Sequence, residues 1–461
     1  MRESNAKVHR CVIVGAGIAG LSCAYFLQHY AEQRRIALQL TVLEQAEQAG
    51  GNLRSHQQQG YVIDWAANGM LSNAPDTQAL AEAMGLPWQE ASAVAKKRYL
   101  YYQSSLRPVP LSPPALLSSD LLPPLAKLRA LYEYFTPRAS VPAAEADESV
   151  YDFLARHFGR AVAEVFAAPF VAGITAGDPQ QLSLGALFPQ LRQLEQKHSS
   201  LLKGLLAKGK PKDPMRLRSF AGGTGALPTA LAQHLASVLQ FKQPVHNLQR
   251  QGEQYVLQGE DGYRLEADSV VLATPAFASA NILAEAVPAS EEPLRAIPYA
   301  GVQVLALGFD RIDVPDALDG FGFLVAPQQG LRSLGVLYSS SIFPNQAPEG
   351  KVALRVILGG SRDPELLDYD EAALLAVVRR DLCIALGIVA EPEMVAHIRW
   401  PQGIPQYTLG HQQRLEKLQQ ALAEHPRLRL TGNAYHGVSV NDSIRSAKAC
   451  AASLIASLSD A

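Results

Sequence analysis

Charge and cysteine are scarce in this chain of 461 residues. Charged side chains make up 18% and the formal net charge is −2, a balance that excludes a disordered chain and a generic nucleic-acid binder. The four cysteines, Cys11, Cys23, Cys383 and Cys450, lie far apart with no CxxC pair, which argues against a disulfide framework or a zinc site and fits a reducing compartment. Long apolar runs are missing too. The longest, Val165 to Ile174, carries Pro169 and Gly173 and is about half of the ~20 residues that span a bilayer. Before the first strand there is neither an apolar signal core nor a transit-like stretch, so the chain is expected to stay in the cytoplasm where it is made. Paired carboxylates, a nucleophile elbow and metal-ligand spacing are all absent, so no catalytic acid, base or metal is expected. What remains is apolar: 48% of so long a chain implies two or three domains.

The amino terminus carries the first chemical signal. CVIV reads as a buried parallel strand and runs into Gly15, Ala16, Gly17, Ile18, Ala19 and Gly20, then into a segment with helical periodicity. In a strand, glycine turn and helix of this kind, Gly15 permits the tight turn, Gly17 lets the backbone approach a pyrophosphate and Gly20 lets the helix pack closely. The next strand, LQLTVLE, ends in Glu44, a carboxylate placed for the ribose hydroxyls of an adenosine. A second glycine pair, Gly50 and Gly51, and a guanidinium, Arg54, follow as a second clamp on the same pyrophosphate. A nicotinamide site does not need that clamp. The arrangement resembles FAD-binding proteins of the glutathione-reductase-like superfamily, particularly the amine oxidase and protoporphyrinogen oxidase branch, and implies FAD as cofactor.

Along the chain, helical patterns dominate from Thr77 to Lys208, broken by the proline-rich PVPLSPPALLSSDLLPP. Strand patterns return after FAGGTGALPTAL, and VVLATP reads as a strand rejoining the nucleotide-binding sheet. A second mixed block runs from Ala296 to Gln420, and the last segment reads as a strand, a glycine loop and a terminal helix. The expected fold is α/β: a discontinuous Rossmann-like FAD domain (1–90, 212–295 and 422–461), a mixed α+β substrate domain (91–97 and 296–421) and a helical membrane-associating insertion (98–208).

Several segments carry a closer likeness: RYLY with its proline-rich follow-on, PFVAGITAGDPQQLSLGALFP, LEQKHSSLLKG, FAGGTGALPTAL, GFGFLV with SSSIFPNQAP, and TGNAYHGVSVNDSI. Together, over nearly the whole chain, they resemble the oxygen-dependent protoporphyrinogen oxidase family. The AGDP and GNAYHGVSVND segments are far more specific than the first glycine turn. The resemblance implies six-electron oxidation of a porphyrinogen to a porphyrin in heme biosynthesis, in three flavin cycles, each reoxidised by O2 with release of hydrogen peroxide. The implied partners are a tetrapyrrole, O2, an anionic membrane surface on the cytoplasmic side and a heme-pathway enzyme that takes the product, with no nucleic acid.

Carried onto this sequence, the resemblance puts Gly432, Val438, Ser439 and Val440 at the loop and helix start facing the flavin pyrimidine, where a positive helix end stabilises an anionic reduced ring. Ala66, Ala67, Asn68 and Gly69 stand where the family usually shows a glycine-proline pair; Val245 matches a position whose backbone reads the adenine, and Trp400 a tryptophan near the flavin. His436 reads as a solvated loop histidine rather than a base. Arg98 is the candidate partner of a substrate propionate, because a guanidinium pairs bidentately with a carboxylate. Gly173 and Gly177 are expected near the reacting ring, with Phe323 and Leu324 as apolar lining. Between Arg192 and Arg218, eight Lys or Arg and two acids make a local charge of +6, either a surface for anionic lipid or a solvated helix face. Rival readings are coproporphyrinogen III oxidation, a flavin amine oxidase or carotenoid desaturase, and a flavoprotein that carries porphyrin without turnover.

Overall fold

The computed structural model describes residues 8–110, 112–135, 147–198, 200–207, 215–315 and 317–459. Its nucleotide-binding sheet has five strands, all parallel, in the order Leu239–Gln240, Leu38–Leu43, His9–Val14, Ser269–Leu272, Leu428–Leu430. The strand at VVLATP does rejoin this sheet, beside His9–Val14. Both faces are covered, which is why CVIV is apolar without alternation: Ile13 and Val271 point into one core, Val12, Val14 and Val270 into the other. The first core is closed by helices Ile18–Arg34 and Val440–Ser459, whose Ala24, Ala447 and Ala451 allow a close approach. The four cysteines are free; Cys11, Cys23 and Cys450 are buried and Cys383 is exposed.

A second sheet has seven strands, in the order Met394–Pro405, Tyr299–Asp310, Lys351–Gly359, Gly335–Leu337, Gly322–Val325, Tyr99–Tyr102, Ser105–Pro108. Here the structure corrects the expected start of the helical insertion at 98. YLYY alternates two buried faces and pairs parallel to Gly322–Val325, so residues 99–108 are the edge hairpin of this sheet, and helix begins at Pro113.

The insertion itself is a set of short helices, among them Pro124–Tyr132, Val150–Phe158, Arg160–Thr175, Pro189–Lys197 and Leu201–Ala207. They share buried charges. Glu195, 3% exposed, accepts from Arg156, Arg192 and a ring nitrogen of His157; the other ring nitrogen faces Glu133 at 3.1 Å. Burial pushes the Glu133 carboxyl up, but hydrogen bonds from His157, Ser200 and the Leu201 and Leu202 amides outweigh it and hold it at about 2.

Among the described residues, several cations of the +6 stretch are paired. Arg192 is committed to Glu195, and Arg216 and Arg218 both pair with Glu90 across a small sheet. Lys208, Lys210 and Lys212 lie outside the described residues. Among the described residues, no helix is long and apolar enough to cross a membrane.

Candidate active site

The two glycine turns meet. Gly15 has φ +101°, and a side chain at Gly20 would put its Cβ 1.9 Å from the Gly15 carbonyl oxygen, so neither position admits another residue without moving the turn. Gly50 donates to the Ala16 carbonyl at 2.8 Å, and a Cβ on Gly51 would lie 3.3 Å from the Gly17 Cα. The helix that starts at Ile18 therefore aims its positive end into a cradle walled by both turns. Glu44, buried at the end of its strand, accepts from the Ala16 amide at 2.7 Å and the Ala46 amide at 2.9 Å. Its carbonyl accepts from Gln243, two residues before Val245, so Glu44 and Val245 sit together at the same end of the groove.

At the other end Arg54 lies over the Trp400 ring, 5.4 Å from its centroid. Arg54 Nε, Trp400 Nε1 and both ends of the Asn68 amide are buried with no hydrogen-bond partner. A run of this kind, from a carboxylate and glycine turns to unpartnered donors beside an aromatic ring, fits a long ligand with ribose, pyrophosphate and a heteroaromatic ring, which is the shape of FAD. Ala66 is exposed, the Ala67 carbonyl accepts from Thr224 at 3.2 Å, and Gly69 packs against the backbone of Arg218, so in this stretch Asn68 is the side chain with unmet hydrogen bonds.

The carboxy-terminal loop closes the cradle. Gly432 has φ +129° with open space where a Cβ would point. Ser439 caps its own helix: its hydroxyl accepts from the Asp442 amide at 3.1 Å and donates to Asp442 Oδ2 at 2.6 Å. What Val438, Ser439 and Val440 present to a ligand is thus the main chain at a helix start. His436 is exposed by surface area, yet desolvation by its surroundings holds its imidazole below the ordinary histidine range.

Sequence reasoning missed the residue that holds this loop. Tyr407 donates to the Asn433 carbonyl at 2.7 Å and accepts from the Gly437 amide at 2.8 Å, while its own carbonyl takes the Ser183 amide at 2.8 Å. Its ring stacks on His411 at 4.0 Å, and burial lowers that imidazole's pKa to about 4, so it is neutral. Gln406, its neighbour, donates to the Thr175 carbonyl at 2.9 Å. One short segment, IPQYTLGH, therefore ties the GITAG helix end to the GNAYHG loop; its run of polar residues after Trp400 was the available signal.

On the substrate side, a Cβ at Gly173 would lie 3.2 Å from Leu324, and one at Gly177 would lie 2.2 Å from Gln406 Oε1. Phe323 needs a correction: it points to the opposite face of its strand, into the core with Tyr101 and Tyr338, and is 3% exposed, so only Leu324 of the pair turns toward the helix. Arg98 is exposed at the strand edge and stacks over Phe321 at 5.1 Å, while its neighbour Lys97 pairs with Asp319. The two halves of the site adjoin through a small apolar cluster of Ala176, Val302 and Leu334, packed with Ala172, Ile357 and Trp400. Among the described residues no group of His, Cys, Asp and Glu is arranged to hold a metal ion.

The family model for flavin-containing amine oxidoreductases matches residues 18–455. The chain belongs to that family. It is a flavin-dependent oxidoreductase with FAD as its cofactor. A protein named coproporphyrinogen III oxidase from Bacillus subtilis is 30% identical to this oxidoreductase, with 97% of each chain covered. The chloroplastic protoporphyrinogen oxidase of Nicotiana tabacum is 31% identical over 95% of this chain and 84% of its own. Among solved structures, one from Exiguobacterium sp. 255-15, described as a candidate protoporphyrinogen oxidase, superposes with a TM-score of 0.85 at 25% identity, covering 97% of this chain and 99% of that one. A reduced UDP-galactopyranose mutase, at a TM-score of 0.74 and 16% identity, shares the fold alone.

Proposed function

We propose that this oxidoreductase converts protoporphyrinogen IX to protoporphyrin IX in heme biosynthesis. The observation that carries the reading is the junction at Ala176: Ala172 and Ala176 of one helix end pack with Trp400 of the flavin cradle, and Gly173 between them faces Leu324, which supports a flat macrocycle seated on this helix end beside the flavin. FAD, when bound, supplies the two-electron acceptor, and three cycles with three O2 account for the six hydrogens removed and three H2O2 released. The chain's own part is to bind and orient. Glu44 and Val245 take the adenosine end, the glycine turns and Arg54 the pyrophosphate, and Asn68, Trp400 and the Gly432 to Val440 loop surround the ring. Arg98, with its guanidinium stacked on Phe321 and facing solvent, pairs with a propionate. No side chain is assigned as acid or base: hydride transfer itself needs none, and the proton that the macrocycle loses in each cycle passes to water and balances the one taken up when O2 is reduced to H2O2.

A second reading, oxidation of coproporphyrinogen III, is favoured by the Bacillus subtilis relative, which matches end to end. Four propionates in place of two ask for more cations than Arg98, and Lys97 beside it is already paired. Assaying both porphyrinogens side by side tests the choice. A higher kcat/KM for protoporphyrinogen is expected; a clear preference for coproporphyrinogen overturns it in favour of the second reading.

In the same reading the FAD domain is built from 1–90, 212–295 and 422–461, the substrate sheet from its central block, and the helical insertion rests on a membrane surface from the cytoplasmic side. Support comes less from charge than from exposed apolar side chains on the insertion: Leu117, Leu125, Leu128, Tyr132 and Phe135 are each more than half exposed. Leu125, Leu128 and Tyr132 share one face of helix Pro124–Tyr132. Replacing Leu125 and Leu128 together by Asp is expected to weaken sedimentation with anionic vesicles by about tenfold or more, given ~1.5–3 kcal/mol for each leucine buried in lipid. Raising salt should do less. Binding that vanishes with salt and ignores the double substitution contradicts this assignment.

A further inference from the structure

Arg355 is a buried cation that the site as described does not use. It lies on strand Lys351–Gly359 of the substrate sheet, is 4% exposed, and has Ala306 and Leu337 as its cross-strand neighbours. One of its terminal nitrogens donates to the main-chain oxygen of Asp64, while Nε is buried with no partner. Asp64's carboxylate favours the charged guanidinium through space, but its hydrogen bonds go to other donors. Oδ1 accepts from Ser55 Oγ at 2.6 Å, the Thr224 amide at 2.8 Å and Thr224 Oγ1 at 2.9 Å; Oδ2 accepts from Gln346 at 2.8 Å.

These bonds join four separate stretches of chain at one buried point. Ser55 follows Arg54 of the second clamp, and its hydroxyl also accepts from the Gly225 amide at 2.8 Å. Thr224 and Gly225 belong to FAGGTG and Gln346 to SSSIFPNQAP, two motifs to which the cradle gave no role beyond the Thr224 bond to the Ala67 carbonyl. A Cβ at Gly223 would lie 2.5 Å from Asp64 Oδ1, so the joint is closed to added atoms. Arg355 enters it from the substrate sheet, two residues before Ile357, which packs in the cluster around Trp400.

An arginine removed from water needs most of its five N–H groups satisfied, ideally by an anion. Burial lowers its pKa only to about 10, so it keeps its proton at neutral pH. We propose that Arg355 is a cofactor-positioning residue: it completes the FAD site from the substrate-sheet side, anchoring the Arg54 and Ser55 clamp through Asp64 and finding its missing partner in a polar or anionic group of the bound flavin. This rests on FAD as the cofactor and not on the identity of the porphyrinogen.

The test uses holoenzyme and no porphyrinogen. Arg355→Met removes the charge and keeps the length; Arg355→Lys keeps the charge and loses the fork. For a folded Arg355→Met protein, the FAD dissociation constant is expected to rise by about tenfold or more. The two-electron potential of the bound flavin should fall, by about 30 mV for each tenfold by which the reduced form is disfavoured beyond the oxidised. Arg355→Lys should hold the potential near wild type while FAD affinity drops several-fold. Wild-type affinity and potential in a folded Arg355→Met protein would overturn the proposal. If that variant does not fold, Arg355→Lys decides: FAD affinity equal to wild type overturns it. Because neither readout involves turnover, either result leaves the substrate reading to its own assay.

Discussion

Gly20→Ala protein is expected to purify without flavin colour. The added Cβ would lie 1.9 Å from the Gly15 oxygen and 3.2 Å from the Ala273 Cβ, so the turn or the helix Ile18–Arg34 has to move. Neither can do so cheaply. Gly15 is already at φ +101°, and the helix is clamped against Val440–Ser459 by small residues. Overpacking of this kind costs ~1–3 kcal/mol in stability, but the larger loss is functional, since the helix end and the Gly17 and Gly51 contact define the cradle. The control is Gly85→Ala: φ +65°, with nothing near the would-be Cβ, it carries only backbone strain of about 1 kcal/mol and should keep its flavin. Flavin absorbance per protein and melting with and without added FAD read both effects. Full flavin content in Gly20→Ala would show that the glycine turns are not the cofactor cradle.

Arg98→Ala should raise KM for the porphyrinogen by about tenfold to a hundredfold, the equivalent of losing a charge-assisted pair worth ~1.5–3 kcal/mol, while kcat changes little. That split is what loss of uniform binding looks like, as opposed to loss of an interaction made only in the transition state. Stability should be untouched, because Arg98 is exposed and its described contact is the face of Phe321. Arg98→Lys should recover only part of the affinity, since an ammonium cannot match a carboxylate with two parallel hydrogen bonds. An unchanged KM in Arg98→Ala removes Arg98 from the site.

The nucleotide-binding half was legible because its chemistry is local. A strand, a glycine turn and a helix occupy Cys11 to Arg34, and the return of VVLATP to the sheet follows from its unbroken apolar run. The polar joints were not legible for the opposite reason: Asp64 and Gln346, or Tyr407 and Ser183, are partners only after folding, and nothing near either residue in sequence marks the pairing. The charge count between Arg192 and Arg218 could not show which cations are paired, because Glu90, the partner of Arg216 and Arg218, lies more than a hundred residues away. Phe323 and Leu324 show a different limit. Both faces of their strand are covered, so apolarity alone does not say which residue faces the substrate side.

The most direct test of the central claim follows porphyrin fluorescence and peroxide together, with purified holoenzyme and protoporphyrinogen IX in air. The expected result is enzyme-dependent porphyrin with three H2O2 for each macrocycle oxidised, and bleaching of the oxidised flavin when O2 is withheld. Porphyrin no faster than the uncatalysed background, with the flavin still oxidised under anaerobic substrate, would contradict it.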